Sequence, residues 1–222
     1  MKANRISIIE VFIEAGPKGE KSADGNTALR LGFEGLLAKQ KSLLLKGGIR
    51  LRLTVCGSRS RACKAFKNAH DDKQAGKINA LLVDSEEALS EKGRGDAAAR
   101  KQHLIDRVGD QWDLKGVDPE VLHLMIECME TWLLADPDAM TRYYGQGFHR
   151  KSCPERLNLE QEPKAEVASK LDSATRNTQK GVYHKVDHAS QLLALICPDQ
   201  VRKRCPHFGV FVDWLELQGS TN

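Results

Sequence analysis

The sequence predicts an α/β protein, a mostly parallel β-sheet flanked by helices and followed by a mainly helical extension. Three observations carry this reading. Apolar, β-branched runs at 5–13, 49–55 and 78–83 have the length of buried strands and are too short for independent helices. Segments of helical spacing separate them, and the order strand, helix, strand, helix, strand gives a parallel sheet with crossover connections. Beyond residue 136 the strand signal fades and amphipathic helical patterns remain, which divides the chain into an α/β domain at 1–136 and a helical extension at 137–222 that packs on it.

The first run, with Ile6, Ile8, Ile9, Val11, Phe12 and Ile13, reads as a central strand. It leads into Glu14 and a Gly/Pro-rich turn at 16–19, which puts a carboxylate at a strand's carboxyl end. Glu10 is the competing acid, but in mid-strand it is either buried unpaired or the mark of an edge. Leu29, Phe33, Leu36, Leu37 and Leu44 then share one helical stripe, predicting a single long crossover helix that Gly47-Gly48 terminates. Residues 49–55 alternate apolar with Arg50, Arg52 and Thr54, the pattern of a strand toward an edge. Its end, Cys56-Gly57-Ser58-Arg59-Ser60-Arg61, brings hydroxyls and guanidiniums to a helix start, where an anion can be held; a plain capped turn is the alternative.

The third strand ends in Asp84-Ser85-Glu86. If the strand runs on for two residues, both carboxylates lean to one side and can share a divalent cation; otherwise Asp84 caps a helix and Glu86 is a solvated first-turn acid. A charged loop at 91–96 and a helix over 97–108 follow. The apolar segment at 121–136 divides into a fourth core strand near 121–126 and a helix ending at Asp136-Pro137. Further helices are expected at 164–173, 187–196 and 206–217, with an aromatic, glycine-rich piece at 143–148 that packs on the sheet or stacks on bases.

At 222 residues, with 29% charged and 41% hydrophobic side chains, the composition is that of an ordinary globular protein. No apolar run reaches the roughly 20 residues of a membrane span, and Glu10 and Glu14 interrupt anything resembling a leader, so a cytoplasmic chain without a membrane partner is expected. Six cysteines without a CxxC pair fit reduced thiols. A net charge of +4 permits nucleic-acid binding without demonstrating it.

Glu14, Asp84 and Glu86, coming from two strand ends, suit Mg²⁺ or Mn²⁺, hard cations that take carboxylate oxygens together with a substrate phosphate. Glu14 can alternatively serve as a general acid or base. Lys21, Arg30, Arg59, Arg61, Lys180 and Lys185 are the candidate phosphate and nucleic-acid contacts. Glu130 is either a fourth acid or an ion-paired structural one. A zinc site from Cys153, Cys197, Cys205 and His207 has ligands of suitable softness but irregular spacing.

Glu14-Ala15-Gly16 after a first strand and Asp84-Ser85-Glu86 after a third are similar to the Toprim domain of topoisomerases, primases and related nucleases. The runs Arg30-Leu31-Gly32-Phe33, Leu82-Val83-Asp84-Ser85-Glu86, His123-Leu124-Met125, Cys128-Met129-Glu130-Thr131-Trp132, Tyr144-Gly145-Gln146-Gly147-Phe148 and Lys180-Gly181 with Tyr183 and Lys185 resemble a bacterial family of unknown function, often encoded beside an ATPase of the ABC or AAA type in presumed anti-phage loci. The resemblance implies a Toprim-like (Rossmann-like) fold, with Glu14, Asp84 and Glu86 as catalytic and metal positions. It further implies a metal-dependent nuclease acting with that ATPase, on DNA ahead of RNA. Ala15 in place of the usual glycine and Glu86 in place of a second aspartate depart from the Toprim pattern, and they motivate a rival reading as a non-catalytic adaptor that binds the ATPase. A phosphate-ligand sensor built on the turn at 56–61 is a third.

Overall fold

The computed structural model describes residues 5–15, 22–89 and 96–220. Lys21, the turn at 16–20 and nearly all of the charged loop at 91–96 lie outside them. Among the described residues four strands, β1 (Ile8–Ile13), β2 (Arg50–Val55), β3 (Lys77–Asp84) and β4 (Leu122–Met125), form one all-parallel sheet in the order β2-β1-β3-β4. β1 is central and β2 lies at an edge, as their patterns require.

Alternation of side chains along the strands sends the two faces to different helices. Ile9, Val11, Ile13, Ala80 and Leu82 face one core, Phe12, Leu81 and Val83 the other. The second face is covered by α3 (Arg59–Asp71) and α4 (Ala97–Asp106) through Ala62, Phe66 and Leu104. The first is covered by α1 (Ser22–Leu36), α2 (Ala38–Lys46) and α10 (Pro206–Ser220), with α8 (Lys185–Leu195) packed on α1 in the same core. The chain is thus a three-layer, Rossmann-like α/β fold.

The expected single helix over the 29–44 stripe is two, α1 and α2, parted at Leu37 (φ −100°, ψ 18°). The break is local. Leu37 N–H still donates to Phe33 and Lys41 N–H to Leu37, both at 2.9 Å, so the predicted stripe stays on one face and Leu29, Phe33, Leu36, Leu37 and Leu44 are all buried. Asp136 does not end a helix as its sequence suggests. It starts one, accepting from Ala139 N–H at 3.0 Å as N-cap of α6 (Pro137–Tyr144), with Pro137 in the first turn where its missing N–H costs nothing. Its other oxygen accepts from Cys197 N–H at 2.9 Å, just before α9 (Pro198–Arg204), a helix the sequence reading passed over.

The helices after residue 136 share the sheet's own core. Trp132, in α5 (Glu130–Leu133), meets Phe33 of α1 edge-on at 6.4 Å and Phe208 of α10 at 4.8 Å. Helix α8 lies against α1 closely enough that a Cβ on Gly32 would stand 2.5 Å from the Ser190 carbonyl oxygen. That contact explains why glycine interrupts the α1 stripe, and it fixes the helix whose first residue, Lys185, reaches the sheet's carboxyl edge. Tyr143 and Tyr144 pack on His188 of α8, not on the sheet; the Tyr144 hydroxyl and His188 Nδ1 are 3.0 Å apart.

His123, on β4, is wedged between Phe211 and Trp214 with neither ring nitrogen partnered. Burial, assisted by nearby Arg100, pushes its pKa well below the usual 6.5. The unfolded chain therefore binds a proton below about pH 6.5 that the folded chain refuses, and stability falls as pH drops through that value. His123→Leu is expected to flatten this loss between pH 6.5 and 5, measured as thermal midpoint against pH.

Candidate active site

All four parallel strands deliver charged groups to the same edge. Glu14 follows β1, Arg59 opens the helix after β2, Asp84 ends β3, and Glu127 and Glu130 follow β4. The strand order reverses direction between β1 and β3, because β2 lies on one side of β1 while β3 and β4 lie on the other. In an open parallel sheet that switch point leaves a crevice at the carboxyl ends. Glu14 and Asp84 stand on its two sides.

The Glu14, Asp84 and Glu86 carboxylates each offer an oxygen within 4.8 Å of the others, and among the described residues no other group of three or more His, Cys, Asp or Glu is arranged to share an ion. Asp84 is 4% exposed, and its Oδ1 accepts from Met129 N–H at 2.8 Å. Glu14 Oε2 accepts from Asp84 N–H at 3.2 Å and from Arg59 Nη1 at 3.5 Å. Glu86 arrives differently from the expectation. β3 stops at Asp84, and Glu86 takes a left-handed φ of +66°, with its N–H on the Glu127 carbonyl at 3.2 Å. Glu127 is left-handed too, at +61°. Two non-glycine residues in that region cost on the order of 1 kcal/mol each or more, and such strain collects at functional sites.

The cations are interleaved with the acids. Arg59, 8% exposed, is fixed by Asp110 on Nε at 2.6 Å, by Trp112 under the guanidinium at 4.6 Å and by the Asp84 carbonyl on Nη1. Its Nη2 has no protein partner. Lys164 Nζ pairs with Glu86, and its N–H donates to Glu127 Oε2 at 3.0 Å. Glu127 thereby caps α7 (Lys164–Thr175), whose N-cap residue, Pro163, supplies no side-chain bond. Lys185 Nζ reaches Glu130 Oε1 at 3.3 Å, and the same oxygen accepts from the Tyr183 hydroxyl at 3.2 Å. A cavity of about 480 Å³ is lined by Glu14, Asp84, Glu86, Arg59, Lys164 and Lys185 together with Arg107, which Asp110 pairs at 3.1 Å.

Burial raises the Asp84 pKa well above the carboxylate range, with Glu14 and Glu130 adding to the rise against the pull of Lys185. Burial also raises Glu14, helped by Glu86 and opposed by Arg59. Burial pulls Lys185 down, but the Glu130 and Asp84 carboxylates reverse this and raise it. Lys164 is likewise raised by Glu86 and Asp84 against burial. Ionised oxygens crowded together with desolvated carboxyls are the donor set of a hard divalent cation, which would relieve the cost of their charge, so the three acids fit Mg²⁺ or Mn²⁺.

Of the predicted phosphate contacts, Arg59 and Lys185 line this cavity and Arg30, Arg61 and Lys180 do not. Arg30 is held by Glu34 at 2.5 Å. Arg61 is exposed, because two residues along a helix from Arg59 points to another side. Lys180 lies over the Tyr143 ring at 4.8 Å. The turn at 57–60 is both capped and charged, since Ser58 Oγ accepts from Arg61 N–H at 3.4 Å while Arg59 turns inward. Glu10 is not an edge acid; Lys77 on β3 pairs with it at 2.7 Å and Thr54 on β2 donates to it at 2.8 Å. The zinc set is not assembled: His207 Nδ1 lies 2.7 Å from Glu160, and all six cysteines are free thiols. Cys128 beside the site is pushed up to about 12 by burial and nearby carboxylates, leaving it no thiolate nucleophile. Sequence reasoning missed Lys164 and Glu127; the only signal was that each is a charged residue beside a predicted element.

No helix among the described residues is long and apolar enough to cross a membrane. No curated protein and no solved structure matches the chain. Residues 36–216, which include every cavity-lining charge named above except Glu14, match a domain of unknown function, DUF4276, and the chain belongs to that family.

Proposed function

We propose that the chain is a divalent-cation-dependent phosphodiesterase of the Toprim type acting on nucleic acid, and the effector subunit of an ATPase-coupled anti-phage system. The observation that carries it is the convergence of Glu14, Asp84 and Glu86 within 4.8 Å at the sheet's switch point, in one cavity with four cationic side chains, Arg59, Arg107, Lys164 and Lys185. The acids would hold Mg²⁺ or Mn²⁺, which supplies charge neutralisation at phosphorus and an activated water. Arg59, Lys164 and Lys185, which line the cavity, bind the phosphodiester. Glu14, its pKa raised, is the group suited to carry a proton between water and leaving oxygen. The ABC- or AAA-type partner and the preference for DNA follow from the family resemblance in the sequence motifs.

One observation favours a second reading. Glu14 and Glu86 already have cationic partners, Arg59 and Lys164, so the same contacts can serve to tie the strand ends to α3 and α7 in an adaptor. Cleavage of plasmid and oligonucleotide DNA with Mg²⁺ or Mn²⁺, by the chain alone and with the ATPase, separates the two. The nuclease reading predicts that Lys185→Ala lowers cleavage by about 10²- to 10³-fold, the usual cost of removing a charge-stabilising group. The adaptor reading predicts no cation-dependent cleavage, and a complex that still functions when Glu14, Asp84 and Glu86 are all alanine.

A further inference from the structure

A second cavity, of about 380 Å³, opens on the other side of Asp84, Lys164 and Lys185, which line both. Its character is opposite to that of the first. Val167, Ala168 and Leu171 of α7 form one wall, and Val182 and Tyr183 stand on the segment leading into α8. Its volume falls in the range of small-ligand pockets, which are apolar with few polar groups. The geometry points to this slot as the receptor for one unstacked nucleobase of the strand whose phosphate lies at the acid cavity. The inference rests on the nuclease reading and deepens it, naming the substrate class: single-stranded nucleic acid, or a duplex locally opened.

Two features select that occupant. Continuity comes first. The slot opens off the acid cavity, with Asp84, Lys164 and Lys185 lining both; of the two carboxylates that line the slot alone, Glu130 is paired by Lys185 and Asp172 by Arg176, so a ligand that reaches from the shared lysines into the slot joins an anionic group to an apolar body, as a nucleotide does. The wall chemistry comes second. Branched aliphatic side chains from α7 and Val182, with the Tyr183 ring, offer apolar contact to a π-face irrespective of base identity, the sequence-tolerant mode of single-strand binders. A base stacked and paired in a duplex cannot enter such a slot without being extruded from the stack.

The test is fluorescence anisotropy of short labelled oligonucleotides with the full chain in chelator, so that no cleavage intervenes. Ala168 is exposed, and Ala168→Trp fills the slot without displacing core. The expected results are that an intact single strand binds the wild type more tightly than its duplex does, and that Ala168→Trp weakens single-strand binding about tenfold or more, the range of one lost base stack. In addition, an abasic residue at the slot position weakens wild-type binding by a similar factor and makes Ala168→Trp indistinguishable from wild type. Because the abasic arm uses unaltered protein, it stands even if the variant folds poorly. Single-strand binding that ignores both the abasic residue and Ala168→Trp overturns the slot and leaves the nuclease reading standing. Absence of binding to any nucleic acid overturns both.

Discussion

Trp132→Ala is expected to lower the thermal midpoint of the whole chain by roughly 6–20 °C in a single transition. Its side chain is 1% exposed and is pressed between Phe33 of the α/β part and Phe208 of the last helix. Truncating a buried Trp costs about 3–5 kcal/mol, and about 2–4 °C accompanies each kcal/mol in a chain of this size. The single transition is the sharper claim. One contiguous apolar cluster runs from Ile9 and Leu53 on the sheet through Trp132 to Leu192, Phe211 and Leu215. The helices after residue 136 therefore melt with the sheet. Two calorimetric transitions, with only one displaced, would contradict the shared core.

Asp84→Asn is expected to act in the opposite direction on stability while removing function. In chelator the variant should melt several degrees above wild type. The asparagine Oδ1 keeps the Met129 N–H bond, and its amide adds a donor beside Glu14, while the buried charge that raises the wild-type pKa is gone. The pH dependence carries the sign. Asp84 and Glu14 hold protons more tightly folded than their ordinary values of 3.8 and 4.5 allow. Above about pH 4 the folded chain therefore binds more protons than the unfolded one, and stability falls as pH rises through that window. Asp84→Asn should flatten that slope. His123 contributes the reverse trend below pH 6.5, so the difference between variant and wild type, both carrying His123→Leu, isolates the carboxylates. A variant less stable than wild type in chelator would show that Asp84 is a structural partner of Lys185 and not a strained functional acid.

Much of this was legible in the sequence, for physical reasons. Strands buried on both faces must be short runs of branched apolar residues, so β1 and β3 could be read directly and their parallel pairing followed from the helices between them. Acids at strand ends are conspicuous where an apolar run gives way to a polar turn; Glu14 and Asp84 were placed that way. What lay hidden depends on backbone conformation and on long-range contact. Glu86 reaches the site through a left-handed turn, which no alternation rule foretells. Lys164 is 78 residues from the carboxylate it pairs with, and Glu127 caps a helix 37 residues away. Arg59 is distinguished from Arg61 only by the partners that hold it, Asp110 and Trp112, both beyond α4. The fold class thus follows from local pattern, whereas the selection of working cations follows from tertiary placement.

The most direct measurement is titration calorimetry of Mn²⁺ and Mg²⁺ into the purified chain and into Asp84→Asn. The account predicts saturable binding to wild type that tightens as pH rises, because the raised carboxyls must give up protons to bind a cation, and no binding to the variant. Wild type that takes up neither ion, or a variant that binds as tightly as wild type, would contradict the assignment of Glu14, Asp84 and Glu86 as a cation site.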